Sequence, residues 1–191
     1  MAYDLKNVFY LDTSATITKA TAGGGSAQLD LSAYIDPIAR GRQKGTGLAI
    51  YKTHYSVTNV EDASEVAPEP SETGVLTYGL IAGAGTGDLT TGNLQIPAGA
   101  FTFDTSNQLL VSAGNFYGAA SAATSTPIGM DYMMPSKDVP YVVVRDNVCL
   151  QYNVSTSQQF ESNSTLAVRL ECAIITLDQA TLNQLLRTQT V

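Results

Sequence analysis

Tryptophan is absent from the 191 residues, histidine occurs once and cysteine twice. A single histidine, His54, leaves no converging set of imidazole ligands for a metal. It also leaves no Ser-His-Asp or Cys-His arrangement except one built around His54 itself. Cys149 and Cys172 lack Cys-x-x-Cys spacing, and a chain of this length buries enough surface to need neither disulfide nor metal. Charge is scarce as well, at 14% of residues against a usual ~25%. Lys and Arg number 10 against 17 Asp and Glu, a net charge of −7. That balance argues against a phosphate-tracking surface, which requires clustered Lys and Arg. The one basic cluster, Arg40, Arg42 and Lys44, lies in a Gly-containing stretch and reads as a solvated turn. No run approaches the ~20 apolar residues of a membrane span. Met1 to Leu11 carries Asp4 and Lys6 and no continuous apolar core, so no secretory signal is expected. The sequons at Asn153 and Asn163 then read as chance in a Ser/Thr-rich chain.

What fills the gap is Thr, Ser, Gly, Ala and Asn, a composition suited to strands joined by tight turns. It also suits a surface that disappears into contacts with neighbouring subunits, since charge is depleted at interface cores. The strongest pattern lies between Tyr141 and Arg187. From Val142 to Val154 the even positions are Val142, Val144, Asp146, Val148, Leu150, Tyr152 and Val154, apolar except Asp146, and Arg145, Asn147, Gln151 and Asn153 alternate with them. From Leu166 to Ile174 the even positions are Leu166, Val168, Leu170, Cys172 and Ile174, with Arg169 and Glu171 on the other side, expected to look outward or toward a neighbour. A period of two predicts strands with one face in a core. The expected core face is Val142, Val144, Val148, Leu150, Tyr152, Leu166, Val168, Leu170, Cys172 and Ile174. The polar stretch from Ser155 to Ser164 between the two runs predicts an antiparallel pair. Shared parity then places Cys149 on the opposite face from Cys172, so both are expected as free thiols. Thr176-Leu-Asp-Gln179 fits a capping box with Thr176 as N-cap. Leu182, Leu185 and Leu186 follow at helical spacing, giving a helix of about ten residues, too short to stand unpacked.

Earlier in the chain, Lys6 to Leu11 reads as a strand, with Ala15 to Thr18 resuming it after a break. Gly23 to Ser26 reads as an interruption, and Gln28 to Ile35 as a strand stopped by Asp36-Pro37. Leu48 to Val60 is a strong strand with Tyr51, Thr53, Tyr55 and Val57 on one face. Glu61 to Thr73, with five acids and two prolines, reads as a solvated protrusion. Val75 to Ile81, Asn93 to Ile96, Phe101 to Phe103 and Leu109 to Val111 read as further strands. Gly114 to Pro135 reads as mostly irregular. Roughly eight or nine strands and one helix make an all-β sandwich or roll in a single domain over 1–191.

None of the motifs carries chemistry. Gly83-Ala-Gly85-Thr-Gly87 has the glycines of a phosphate loop but neither its Lys-Ser/Thr nor a following helix. The acids Glu61, Asp62, Glu65, Glu69 and Glu72 do not match a calcium loop. Met130 to Pro135 reads as a core lid or subunit contact. No catalytic residue, cofactor site or metal site is assigned.

The run Pro140-Tyr-Val-Val-Val-Arg-Asp-Asn-Val-Cys-Leu-Gln-Tyr, the polar loop, the strand from Leu166 to Ile175 and the closing Thr-Leu-Asp-Gln resemble small single-jelly-roll viral capsid proteins. They are most similar to the upright jelly-roll capsid proteins of tailless icosahedral viruses of bacteria and archaea. The resemblance covers about fifty residues. It implies a jelly roll of two facing four-stranded sheets with long loops and a short C-terminal helix, no catalysis and no cofactor. It implies self-assembly into an icosahedral shell, a virion location and assembly in the host cytoplasm. The missing basic arm departs from capsid proteins that bind genome directly. It suits a shell over an internal membrane, or one served by other capsid or vertex proteins. A carbohydrate- or surface-binding β-sandwich is the alternative; a cupin-type enzyme is nearly excluded by the single histidine.

Overall fold

The computed structural model describes residues 8–19, 21–36, 44–59, 74–83, 108–118, 128–154 and 163–189. These form strands β1 (Phe9–Ile17), β2 (Gly23–Asp30), β3 (Lys44–Asn59), β4 (Gly74–Ala82) and β5 (Leu110–Gly118). They continue as β6 (Ile128–Met133), β7 (Tyr141–Val143), β8 (Asn147–Val154), β9 (Ser164–Asp178) and helix α1 (Gln179–Thr188). One sheet runs β1-β9-β3-β7 and the other β2-β8-β4-β5-β6. The antiparallel pairs β1·β9, β2·β8, β3·β7 and β4·β5 are nested, the outermost strands pairing first and the innermost last. Rolling that nest, so that β9 also pairs with β3 and β8 with β4, generates a jelly roll. β6 is an additional strand on the outer side of β5.

The two strand runs that dominate the C-terminal sequence belong to different sheets, so the expected antiparallel pair does not exist. β8 pairs with β2 and β4, while β9 pairs with β1 and β3. Val148, Leu150, Tyr152, Leu166, Val168, Leu170 and Cys172 all lie in the main core cluster, together with residues of both sheets. Common parity reflected a common core and not a shared ladder, because facing sheets bury the same period.

Three of the expected core positions are corrected. The run from Val142 to Val154 is interrupted at residues 144–146, and the chain crosses there from one sheet to the other. The bonds Leu31 N to Asp146 O (2.6 Å) and Gly83 N to Asn147 O (2.9 Å) hold the crossing. The crossing shifts parity by one. Val143 joins the main core, and Val142 and Val144 turn to a second cluster with Ala49, Tyr51, Ala173, Ile175, Leu177 and Leu182. Ile174 is 48% exposed, and the buried residues at that end of β9 are Ala173, Ile175 and Leu177 on the opposite face. Alternation separates two faces but does not say which is covered; here α1 folds back and covers the odd one.

Helix α1 is capped by Asp178, whose Oδ1 accepts from Thr181 N at 2.7 Å. The expected cap, Thr176, is instead paired with Thr46 in the β3·β9 ladder. A bulge between Ile50 and Lys52 leaves Tyr51 without a register partner. Tyr51 thereby packs in the second cluster, while Tyr55 and Val57 pack against the main core. β1 is unbroken, and β5 and β6 occupy much of the stretch expected to be irregular. The expected strands Asn93 to Ile96 and Phe101 to Phe103, the segment 61–73 and Gly85 and Gly87 lie outside the described residues.

Gly23 to Gly25 belong to β2, contrary to the expected interruption. The register explains why. Gly25, Tyr152, Tyr78, Gly114 and Asp131 form one row across all five strands of the second sheet. Each tyrosine ring lies over the glycine beside it. A Cβ on Gly25 would meet the Tyr152 hydroxyl at 2.6 Å and its ring at 2.7 Å, and one on Gly114 would meet the Tyr78 ring at 2.7 Å. The hydroxyls reach past the glycines: Tyr152 OH donates to Thr16 O (2.7 Å) and Tyr78 OH to Asp131 Oδ1 (3.0 Å).

Candidate functional site

The space between the sheets is filled. Ile17, Leu31, Leu48, Ile50, Leu76, Leu80, Leu150, Leu166 and Leu170 are at most 1% exposed within it. Among the described residues no group of three or more His, Cys, Asp or Glu side chains is placed to hold a metal. Both thiols are free and buried, and burial pushes the Cys172 thiol up to about 12. Thiolate is the reactive form, so neither cysteine should react with a thiol-specific disulfide reagent until the protein unfolds. A colorimetric thiol assay with and without denaturant checks this; rapid labelling of the native protein would contradict it.

Chemically expressive side chains instead gather on the outer face of β1-β9-β3. Register places them in rows: Tyr10, Glu171 and Lys52; then Asp12, Arg169 and His54; then Ser14, Ala167 and Ser56; then Thr16, Thr165 and Thr58. Alternation puts every one of them outward, because their neighbours along each strand fill the core. An open depression of about 620 Å³ is lined by Tyr10, Asp12, His54, Arg169 and Glu171 among others. A second, of about 500 Å³, lies over Tyr51 and Thr53 beside Met134, Lys137 and Asp131. His54 and Glu171 border both. Their side chains meet diagonally, His54 Nε2 to Glu171 Oε1 at 2.8 Å. Met134 forms part of the second wall and accepts a hydrogen bond from Thr53 Oγ1 at 2.8 Å.

The hydrogen bond from His54 holds the Glu171 carboxyl below the usual carboxylate range, opposed by desolvation and helped by the charges of His54, Lys52 and Lys137. A carboxylate depressed on folding adds stability that is full above its unfolded pKa and fades as pH falls through the folded value. In His54→Ala, Glu171 should titrate higher than in the wild type, and the acid limb of the melting profile should flatten. Carboxyl NMR titration measures it; an unchanged Glu171 titration would refute the assignment.

An imidazole and a carboxylate in contact are also the parts of an acid-base pair. Among the described residues, however, His54 makes its one hydrogen bond to Glu171, and no hydroxyl or thiol is bonded to it. The pair sits on an open face with the His54 side chain 43% exposed, where water screens it. The arrangement can bind polar groups. The sequence pattern names His54 and puts Arg169 and Glu171 on the outward half of their strand, as found, but it does not single out Tyr10 or Asp12. Their signal was the polar half of each alternating strand, which marks a face without marking a site. Asn153, in one sequon, is 6% exposed and faces away from solvent.

No family model matches the chain, and no curated protein does. Among solved structures, that of human polyomavirus 12 VP1 in complex with 3'-sialyllactosamine superposes with a TM-score of 0.42 at 7% identity. The match covers 90% of this chain and 100% of that one. At that identity and TM-score, the jelly-roll assignment rests on the strand order of the chain itself.

Proposed function

We propose that the chain is a structural virion protein, a single jelly-roll domain over residues 1–191 that assembles with copies of itself into an icosahedral shell and performs no catalysis. The observation that carries this reading is the nested jelly roll with a filled interior. A jelly roll used as an enzyme or a lipid-type carrier needs room between its sheets; here that room is occupied by leucine and isoleucine. Function is left to the outer faces, edges and loops. The chain as a whole is poor in charge, and its described surface carries single exposed apolar residues at several points: Val8, Tyr10, Met130, Val139 and Ile174. Low charge with scattered apolar anchors suits subunit contacts. The resemblance of the C-terminal strands points to the small tailless viruses of bacteria and archaea. The shell would reside in the virion after assembly in the host cytoplasm, with other capsid or vertex proteins or an internal membrane as neighbours.

A carbohydrate- or surface-binding module is the second reading. Tyr10, 60% exposed beside Asp12 and Arg169, is the observation in its favour. Size-exclusion chromatography with negative-stain electron microscopy separates the two. Shell-like particles or capsomer-sized oligomers support the first; a monomer that binds glycan supports the second. The acidic segment 61–73 would face the exterior, since five carboxylates are costly to desolvate at a contact. Deleting Ala63 to Ser71 should therefore leave particles intact, and loss of particles from a folded deletion variant would reverse that placement.

A further inference from the structure

Gln189 follows the last turn of α1, yet it is 3% exposed. Its carboxamide is bonded across the backbone of β7: Nε2 donates to Val142 O at 2.7 Å, and Val144 N donates to Oε1 at 3.1 Å. β7 is an edge strand of the four-stranded sheet. The Val143 carbonyl points at β3, since its oxygen lies 3.1 Å from where a Cβ on Gly47 would sit. In an antiparallel strand the backbone groups of adjacent residues point to opposite sides. Val142 O and Val144 N therefore face outward, away from the sheet. They are the acceptor and donor that an added strand would use there.

We infer that Gln189 is a plug that closes the β7 edge against strand addition by a second copy of the chain. A primary amide carries a donor and an acceptor on one carbon, as a peptide group does, so one side chain satisfies both positions. α1 delivers it. Leu182 is fully buried in the second cluster, Leu185 and Leu186 pack beside it, and Gln189 N donates to Leu185 O at 2.9 Å. Val144 is itself 0% exposed, so its N–H finds little water once the plug leaves. An unpaired edge accepts any extended segment, and in a solution of one protein the most abundant segments are its own strands. The inference goes beyond the assembly reading and holds whether the chain forms shells or remains a monomer. In a shell it confines association to the other surfaces.

The test uses the full chain with Gln189→Ala and Gln189→Met, the latter keeping length and volume without either hydrogen bond. In both variants the Val144 amide should exchange about fivefold faster, the factor an ordinary hydrogen bond represents. Both should also form irregular, concentration-dependent aggregates with an infrared intermolecular-strand band that the wild type lacks. Unchanged exchange overturns the inference, as does faster exchange with no new association. A response confined to Gln189→Ala overturns it too, because the side chain would then act by filling space. Wild-type failure to form particles would count against the assembly reading alone.

Discussion

Replacing Leu182 with alanine is expected to cost about 2–5 kcal/mol, the range for truncating a fully buried leucine. Leu182 is the one buried residue of α1, and its Cδ2 sits 2.6 Å from where a Cβ on Gly45 would be. It thus fills a notch that only glycine leaves open, against Ile175, Leu177 and Val144. A helix of ten residues has no stability of its own. If undocking α1 costs less than tolerating the cavity, the helix detaches and the measured loss stops at the undocking energy. Hydrogen exchange distinguishes the two. Undocking speeds the amides of α1 and of Val144, which loses the Gln189 bond, and leaves those of β4 and β8 slow. Global destabilisation speeds all of them together. Gly45→Ala should mimic Leu182→Ala from the other side, by pushing the leucine out instead of shortening it. Wild-type melting and exchange in Leu182→Ala would contradict this packing.

The C-terminal strands were legible as strands because alternation survives in any sheet that buries one face. Their partners were not legible, because β8 and β9 present the same parity to one core from opposite sides. The helix was legible from Leu182, Leu185 and Leu186. Its docking was not: Ala173, Ile175 and Leu177 read as the lesser half of an alternating strand until something covers them. Tyr51 changed faces because of a bulge that has no composition signal. The outer-face pair His54 and Glu171 lies on strands 117 residues apart in sequence, and local pattern reports nothing at that distance. Gln189 is one polar residue among several near the C-terminus, and its role exists only where α1 meets β7.

Gly114→Ala is expected to destabilise the protein by about 1–3 kcal/mol, as overpacking of a fitted interior does, and more if Tyr78 loses its hydroxyl partner as well. Glycine in a strand ordinarily weakens it, so sequence alone reads Gly114 and Gly23 to Gly25 as breaks. The row Gly25, Tyr152, Tyr78, Gly114 and Asp131 reverses that reading. The Tyr78 ring crosses Gly114 to reach Asp131 Oδ1, and a Cβ on residue 114 would meet both the ring (2.7 Å) and that oxygen (2.6 Å). Tyr78 also packs against Tyr55 at 4.6 Å between centroids, and Tyr55 OH is 2.6 Å from Ser112 Oγ. A displaced ring therefore disturbs contacts between the two sheets as well as within one. Coupling provides the decisive measurement. In Tyr78→Leu the ring is gone, so adding Gly114→Ala should cost less than it does in the wild type, a non-additivity of the size seen for residues in contact. Strict additivity in denaturant unfolding would mean that the ring does not need the glycine. Gly25→Ala with Tyr152→Leu should show the same coupling, since that ring crosses Gly25 to reach Thr16 O in the facing sheet. Agreement of both cycles would establish that Gly25 and Gly114 are seats for Tyr152 and Tyr78.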